Sequence, residues 1–423
     1  PRARLYQTLA SKLVEQQSIT MSTVKKQVHQ VLATLGYGDA IGNEAIGIQR
    51  ILRTAGYESR IYVQTADPRV EHLTNDYHEL VADSNEDNIL IHHFSIGSRA
   101  SRVAYALPDR MILIYHNITP PHYFIDVNHT LVQQCFSGRR ELTAYVDRCD
   151  LALGDSSFNQ AELEEMGFPL TGVLPVVPDF HHLNQEPNPL LSDSFDDEWT
   201  NVLFVGRVIP NKRIEDVIRF FHAYQTRYNP KSRLLLVGSH DGFADYHASI
   251  SALIGRLGTH DVHLIGHVSN EELTAIYDIA DLFLSASEHE GFCVPLIEAF
   301  YKEIPVLAFH AAAVPSTMDG AGVLYEHKDP RHVASLMHAV LSDDFLTDEI
   351  IRSQNEALDR LQAKNFSATL LNFIDRVSHL PRQPPPAVAW DFWKQFDLSE
   401  KLDELRQYRP AVFQALPEDT SST

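Results

Sequence analysis

Short apolar runs alternate along this chain with longer stretches that carry apolar residues on one helical face. In the first half, the pattern predicts strands at 28–34, 60–63, 88–92, 111–116 and 151–154. The first helix that packs on this sheet is predicted at 45–55. In the second half, it predicts strands at 201–206, 233–237, 262–266, 281–286 and 305–309, and the last two helices at 349–363 and 367–379. Strands separated by helix-length spacers are typical of doubly wound α/β domains.

The chain is long enough for two such domains, because its 423 residues exceed what one hydrophobic core usually supports. A polar stretch containing Glu186-Pro-Asn-Pro189 separates the two repeats and indicates an interdomain connection. We therefore expect an N-terminal helical extension at 1–22, a Rossmann-like domain at 23–180, a linker at 181–200, a second Rossmann-like domain at 201–366, a further helix at 367–380 and an aromatic tail at 381–423.

Both extensions carry apolar side chains outside the two repeats. A leucine stripe marks a short helix at 4–16, and the tail is rich in aromatic residues: Trp390, Phe392, Trp393 and Phe396. An isolated helix this short is marginal in water, so packing must hold it. We expect these segments to pack on the protein or to build a homodimer contact. Peripheral contact of the basic N-terminal segment with an anionic membrane is the less favoured alternative, because the net charge of −21 would be repelled.

Composition argues against several classes of function. The net charge of −21 is unsuited to a nucleic-acid-binding protein. The three cysteines are too few and too scattered for a disulfide framework or a zinc site. His263 and His267 have metal-ligand spacing, but on a strand they lie about 13 Å apart, so we predict neither a bound metal nor a cofactor.

The sequence has no signal peptide and no apolar run long enough to span a bilayer, which predicts a cytoplasmic protein.

The stretch from Glu290 to Glu298 carries the most specific chemistry. It follows a predicted strand and contains a Gly-Phe turn and then Pro295, which suits the first position of a helix. A helix N-terminus favours negative charge, because its N–H groups are unpaired and its dipole is positive there. Carboxylates on either side of an anion site can accept hydrogen bonds from hydroxyl groups, which a nucleotide sugar offers at its hexose and its ribose. The alternative is an acidic loop before a core helix.

A second group of charges follows the predicted strand at 201–206. Arg207 leaves the carboxyl end of that strand, where open α/β sheets bind ligands. Lys212 precedes a predicted helix, where a cation is unfavourable unless an anion lies nearby. Two cations and a helix N-terminus can together neutralise a leaving diphosphate without a metal. Arg213 fits ordinary surface charge.

These segments together resemble the retaining family 4 glycosyltransferases of GT-B fold. The resemblance rests on Phe-Val-Gly-Arg with the later lysine and on Glu-Gly-Phe with a second glutamate, and it extends from about 22 to 378. It implies two Rossmann-like domains facing across a cleft, the first on the acceptor side and the second on the donor side, with the helix at 367–380 crossing back to the first. It also implies a donor site made of Gly206, Arg207, Lys212, Glu290, Gly291, Phe292, Cys293, Val294 and Glu298.

The resemblance implies a role for several of these residues. Arg207 and Lys212 would hold the diphosphate, Glu290 the donor hexose and Glu298 the ribose, while the backbone at 292–293 would approach the phosphates. The residues implied in catalysis are His116, Arg207, Lys212 and Glu290. The chain departs from the family at two positions. Cys293 stands where a glycine is frequent, and Ser316 stands where a glutamate is common, so no role is assigned to Ser316.

Candidates in the first domain follow predicted strand ends. The resemblance places His116 beside the transferred sugar, where its ring can bind a hydroxyl or its carbonyl can face the reacting carbon, although a lone histidine is more often structural. The loop at 36–44 has glycines with the wrong spacing for a dinucleotide fingerprint, so it either approaches a substrate or simply joins strand and helix. Asp155 and Ser156 either line the cleft or, as favoured for Ser156, cap a helix. The predicted acceptor side comprises Gly38, Gly42, Asn43, Ser95, Gly97 and Asn117.

The expected function is retaining, metal-independent transfer of a hexose from a UDP- or GDP-sugar to a saccharide or lipid-linked acceptor. The product would have an α-linkage and would serve bacterial polysaccharide or glycoconjugate synthesis. A nucleotide-sugar epimerase and a sugar phosphorylase are alternatives on the same fold. A non-catalytic nucleotide-sugar-binding scaffold is the alternative of another class, and it would bind donor without turnover.

Overall fold

The computed structural model describes residues 26–176, 180–195 and 197–382, which form two parallel β-sheets flanked by helices. The predicted α/β class and the two doubly wound domains are confirmed. The predicted helix at 4–16 and the aromatic residues of the tail lie outside the described residues, so the statements about their packing stay predictions.

The first sheet has seven strands in the order β3-β2-β1-β4-β5-β6-β7. Strands β1 to β7 are Val28–Leu35, Ile61–Ala66, Asn75–Asp76, Ile89–Phe94, Arg110–Tyr115, Leu151–Gly154 and Thr171–Val173. Helices α1 to α5 are Ala40–Thr54, Leu80–Asp83, Arg99–Ala106, His129–Ala144 and Ser157–Met166, with 3-10 turns at Glu71–Leu73, Pro121–Phe124 and Tyr145–Asp147. The inner strands are buried along almost their whole length, as expected for a parallel sheet covered by helices on both faces.

The second sheet has six strands in the order β10-β9-β8-β11-β12-β13. Strands β8 to β13 are Thr200–Val205, Ser232–Val237, Val262–Gly266, Leu282–Ser285, Val306–Phe309 and Val323–Tyr325. Helices α6 to α14 are Pro189–Phe195, Ile214–Arg227, Ala244–Leu257, Asn270–Asp278, Val294–Tyr301, Val314–Met318, Pro330–Ser342, Asp344–Ala363 and Phe366–His379, with 3-10 turns at Phe180–Leu183 and Pro210–Lys212. In the described part of both domains, no helix combines the length and the apolar character needed to cross a bilayer.

Both sheets reverse their strand order beside their first strand. β1 pairs with β2 on one side and β4 on the other, and β8 pairs with β9 and β11 in the same way. In doubly wound sheets, ligands bind outside the carboxyl ends of the strands at such a reversal. His116 follows β5, Arg207 follows β8 and Glu290 follows β11, so the fold directs all three to the expected edges.

The first helix begins five residues earlier than predicted. α1 starts at Ala40 because Asp39 caps it, with the side chain accepting a hydrogen bond from the Gly42 amide at 2.5 Å. Gly38, with a φ of 75°, turns the chain just before the cap. Gly42 and Asn43 therefore lie in the first turn of a helix, and their placement in a loop was wrong.

Other differences from the prediction concern short or capped elements. The edge strands β3, β7 and β13 are two or three residues long, which is too short for a recognisable alternation of apolar and polar positions. Helix α13 begins at Asp344, five residues before its predicted start, because Asp343 caps it. The polar stretch at 181–200 contains α6, and Asn188 attaches it to the second domain by donating to the Glu271 carbonyl at 2.9 Å.

Helix α14 returns from the second domain to the first. Its buried residues Leu370, Ile374 and Val377 share a hydrophobic cluster with β1, β4, β5 and β6. Arg110 in β5 donates hydrogen bonds to the carbonyls of Val377 and Leu380 at 3.1 and 3.0 Å. The apolar stripe and these bonds fasten the end of the second domain to the first sheet.

Candidate active site

The loop after β8 brings Arg207 to the edge of the second sheet. Gly206 has a φ of 151°, and a methyl group at Gly238 would lie 2.0 Å from the Gly206 carbonyl oxygen. The two loops therefore touch, and glycine is required at 238. The Arg207 side chain is exposed, with its guanidinium carbon 5.6 Å from the centre of the Phe243 ring. Its charge is thus accessible to an anionic ligand.

Lys212 and Glu290 form a buried ion pair. Lys212 ends a 3-10 turn, and its Nζ lies 2.5 and 2.6 Å from the two carboxylate oxygens of Glu290. The two side chains are 18% and 7% exposed. Burial opposes the charged form of the lysine, but the Glu290 carboxylate raises the pKa of Lys212 above its ordinary value. An ammonium group has three N–H donors, so one remains for an anion when two point at Glu290.

The turn before α10 has the backbone conformation of a glycine turn. Cys293 has a φ of 74°, and α10 begins at the next residue with Pro295 in its first turn. Residues other than glycine are strained at such a φ, because the side chain crowds the backbone. Burial raises the pKa of the Cys293 thiol well above its usual range, so the thiol is protonated at neutral pH. The turn thus presents the start of a helix beside an uncharged side chain.

Glu298 lies inside α10, with both carboxylate oxygens hydrogen bonded. Its Oε2 accepts from the Tyr277 hydroxyl at 2.8 Å, and its Oε1 accepts from His182 Nε2 at 2.8 Å. His182 belongs to the interdomain stretch, and the sequence did not mark it because it lies 116 positions from Glu298. Since each carboxylate oxygen has two lone pairs, the carboxylate can accept a ribose hydroxyl while it keeps these bonds.

His116 lies at the end of β5 with its ring buried. Its Nε2 is 2.9 Å from His93 Nδ1, and its Nδ1 is 3.1 Å from Asp155 Oδ2 and 3.9 Å from Glu44 Oε2. Burial opposes protonation of the ring, but Asp155 and Glu44 raise the pKa of His116, and burial raises that of Glu44. Both ring nitrogens face protein groups, which leaves the backbone carbonyl of His116 as the group able to meet a substrate.

The two domains meet at the predicted cleft. Asn117, whose φ is 64°, accepts a hydrogen bond from His289 Nε2 at 2.6 Å. A methyl group at Gly291 would lie 2.8 Å from Asn117 Cβ and 3.5 Å from the His116 carbonyl oxygen. Burial lowers the pKa of His289 to about 4, so its ring is neutral in this contact. The His116 carbonyl therefore lies close to the Gly291 turn, and His289 joins the cleft without any signal in the sequence.

Ser95 and Gly97 follow β4, and Gly97 allows this loop to pack closely against α4. A methyl group there would lie 2.5 Å from Glu141 Oε2 on α4. Glu141 is 1% exposed, its Oε1 has no hydrogen-bond partner among the described residues, and its Oε2 is 3.7 Å from Arg102 Nε. Burial raises the pKa of Glu141 to about 7. The glycine thus allows close contact between this loop and α4, while Ser95 is half-buried beside it.

The remaining acceptor-side candidates lie at the start of α1. Gly38 and Asn43 are exposed, whereas Gly42 is buried in the first turn. Ser156 accepts a hydrogen bond from the Asn159 amide at 3.2 Å and caps α5, so the capping prediction is confirmed. The described residues thus bring His116 and Asn117 against the donor-side turn, and they place Gly38, Gly42 and Asn43 on a separate element.

Part of the chain matches a known family. Residues 193–357 match the family described as "Glycosyl transferases group 1". The O-antigen chain mannosyltransferase B of Escherichia coli is 25% identical over 167 residues, 39% of this chain and 42% of that protein. The α-monoglucosyldiacylglycerol synthase of Acholeplasma laidlawii is 27% identical over 184 residues, 43% of this chain and 45% of that protein. The chain therefore spans less than half the length of these curated relatives.

The whole described fold has counterparts among solved structures. The Anabaena protein HepE, crystallised with UDP and glucose, superposes with a TM-score of 0.64 at 16% identity, over 83% of this chain and all of that one. At this identity the likeness establishes the fold alone. The protein has the GT-B glycosyltransferase fold, and its second domain matches the group 1 glycosyltransferases.

Proposed function

We propose that the protein is a retaining glycosyltransferase that moves a hexosyl group from a nucleotide-diphosphate sugar to an acceptor hydroxyl, forming an α-linkage. One observation carries the proposal. Arg207, Lys212 and the start of α10 lie at one edge of the second sheet together with Glu290 and Glu298, in the segment that matches the family. This arrangement offers positive charge to a diphosphate and carboxylates to the sugars on either side.

Departure of the nucleoside diphosphate is the step that the second domain supports. The third N–H of Lys212, the Arg207 guanidinium and the amides at the start of α10 would bind the diphosphate as its charge develops. Preorganised donors of this kind contribute about 3 kcal/mol each to a transition state. The pair with Glu290 holds Lys212 in place before the donor arrives, so little reorganisation is needed.

The first domain would contribute the group that stabilises the transferred sugar in the transition state. The His116 carbonyl oxygen lies beside the Gly291 turn, where it can face the reacting carbon and stabilise an oxocarbenium-like transition state. In this proposal the β-phosphate oxygen takes the proton of the acceptor hydroxyl on the same face from which the diphosphate leaves. Attack from that face retains the configuration of the donor, and no metal bridges the diphosphate.

The names of the relatives support a donor and acceptor class. They transfer mannosyl or glucosyl groups, and one structural counterpart binds UDP. We therefore propose a UDP- or GDP-hexose as the donor and a saccharide or lipid-linked hydroxyl as the acceptor, in bacterial polysaccharide or glycoconjugate synthesis.

A thermal-shift screen of nucleoside diphosphates tests the donor assignment. A nucleotide present at a hundred times its Kd should stabilise the protein by about 2.7 kcal/mol. The base that stabilises it identifies the donor for the transfer assay. Formation of a sugar phosphate from donor and inorganic phosphate would indicate a phosphorylase, an isomerised nucleotide sugar would indicate an epimerase, and tight donor binding without product across acceptors would indicate a scaffold.

A further inference from the structure

Three acidic and imidazole side chains from separate segments converge inside the first domain. Glu44 comes from α1, His116 from the end of β5 and Asp155 from the end of β6, and one potential ligand atom of each lies within 4.8 Å of the others. Their side chains are 6%, 2% and 8% exposed. Glu44 Oε1 and Asp155 Oδ1 are buried without a hydrogen-bond partner in the described part of the chain. Buried carboxylate oxygens are normally satisfied, so two orphans at one place point to a missing partner.

A chain of hydrogen bonds fixes which nitrogen of His116 faces the carboxylates. Gln30 Nε2 donates to the Ala45 carbonyl at 3.0 Å, so Gln30 Oε1 must accept from His93 Nε2 at 2.9 Å. The neutral ring of His93 then accepts at Nδ1 from His116 Nε2, also at 2.9 Å. His116 therefore carries a hydrogen on Nε2 and directs Nδ1 toward Glu44 and Asp155.

Either protons or a metal ion can balance the charge of these buried side chains, since burial raises the pKa of Glu44. Within the described residues, the ion pairs and hydrogen bonds of the Glu44 and Asp155 carboxylates involve His116 and no lysine or arginine. Buried charge is costly unless it is paired or bound to a metal. A proton on His116 Nδ1 would reach Asp155 Oδ2 at 3.1 Å, but it would leave both orphaned oxygens unsatisfied. A divalent ion could contact all three side chains and balance both carboxylates.

We propose that Glu44, His116 and Asp155 bind a divalent transition-metal ion, Zn²⁺ or Mn²⁺, through His116 Nδ1 and one or more oxygens of each carboxylate. An imidazole nitrogen beside carboxylate oxygens suits these ions better than Ca²⁺ or Mg²⁺, which prefer oxygen ligands alone. A metal-bound histidine usually donates its other N–H to a protein acceptor, as His116 does to His93.

The ion would have a structural role that differs from binding the donor. It would join the ends of β5 and β6 to α1, and it would thereby fix the His116–Asn117 corner that contacts the Gly291 turn. The site lies in the first domain and its ligands are separate from the residues proposed to bind the diphosphate, so metal binding can be measured without a substrate.

The metal content of the purified 423-residue chain tests the site. The protein is stripped with a chelator, refilled with Zn²⁺ or Mn²⁺, desalted and analysed for its elements. We expect about one ion per chain, and at least tenfold weaker binding in Glu44→Gln and Asp155→Asn, since even partners of metal ligands change affinity by about 10–100-fold. Glu141→Gln is the matched control, because it removes a buried carboxylate of the same domain outside the cluster, and it should bind as the wild type does.

Two further measurements on the same samples make the outcome decisive. Added ion should raise the melting temperature of the stripped wild type and of Glu141→Gln, but not that of the two cluster variants. Co²⁺ should give a visible spectrum with the wild type, which supports the site even if a cluster variant fails to fold. The proposal is overturned if the wild type binds none of the three ions, if both cluster variants bind as much as the wild type, or if nitrogen NMR finds a protonated Nδ1 on His116 in the presence of ion.

Discussion

The buried Lys212–Glu290 ion pair should contribute to the free energy of unfolding. Lys212→Met keeps an unbranched side chain, one heavy atom shorter, and removes its charge, which leaves the Glu290 carboxylate 7% exposed and without its ion-pair partner. Breaking a buried ion pair from one side costs about 3–5 kcal/mol. Because the lysine is 18% exposed, water reaches part of the site, and we expect a loss near the lower end of that range, about 3 kcal/mol.

A double-mutant cycle measures this coupling. Urea unfolding is followed for wild type, Lys212→Met, Glu290→Gln and the double variant, with Lys231→Met as a control because the Lys231 side chain is 66% exposed. The double variant should be more stable than Lys212→Met alone, since no unpaired carboxylate remains, and the control should change by less than about 1 kcal/mol. A Lys212→Met variant as stable as Lys231→Met would refute the buried-pair reasoning.

Three further predictions concern the donor site and the first domain. Glu298→Ala should weaken nucleoside-diphosphate binding by about tenfold or more, whereas Glu290→Ala should mainly lower kcat; equal nucleotide affinity in Glu298→Ala and wild type would contradict the ribose assignment. Donor affinity measured by calorimetry should be the same with and without added Mg²⁺ in otherwise identical samples, and a large gain with Mg²⁺ would contradict metal-independent binding of the diphosphate. The pKa of Glu141 is raised from 4.5 to about 7 in the folded state, so the folded protein holds a proton that the unfolded chain has lost between these values. Stability should therefore fall as the pH rises through this window, by an amount of order 2 kcal/mol relative to Glu141→Gln, and parallel pH profiles for the two proteins would argue against the shift.

The sheets were predictable because parallel strands covered on both faces are continuous apolar runs. Leu151–Gly154 was predicted with its observed limits, β9 and β12 differ from prediction by one residue at one end, and β8 differs by one residue at each end. The start of α1 was not predictable in the same way. A capping aspartate inside a glycine-rich stretch resembles a loop until the geometry of the cap is known.

The donor-side residues were predictable because they lie in two short segments with local signals. The ion pair between Lys212 and Glu290 was not predictable, because these residues are 78 positions apart and only the sheet brings them together. Glu44, His116 and Asp155 are far apart in the sequence, so the spacing of metal ligands along the chain does not reveal their cluster. For the same reason, the contact between His182 and Glu298 could not be predicted from the sequence.

The anomeric configuration of the transferred sugar shows whether the protein is a retaining glycosyltransferase. The donor identified by thermal shift is incubated with candidate acceptors, and the one-bond coupling constant between C1 and H1 of the transferred hexose is read by NMR, because it distinguishes α from β for mannosyl as well as glucosyl products. We expect an α-linked product from an α-linked nucleotide sugar, and loss of that product in Lys212→Met. A β-linked product from the same donor would contradict a retaining mechanism.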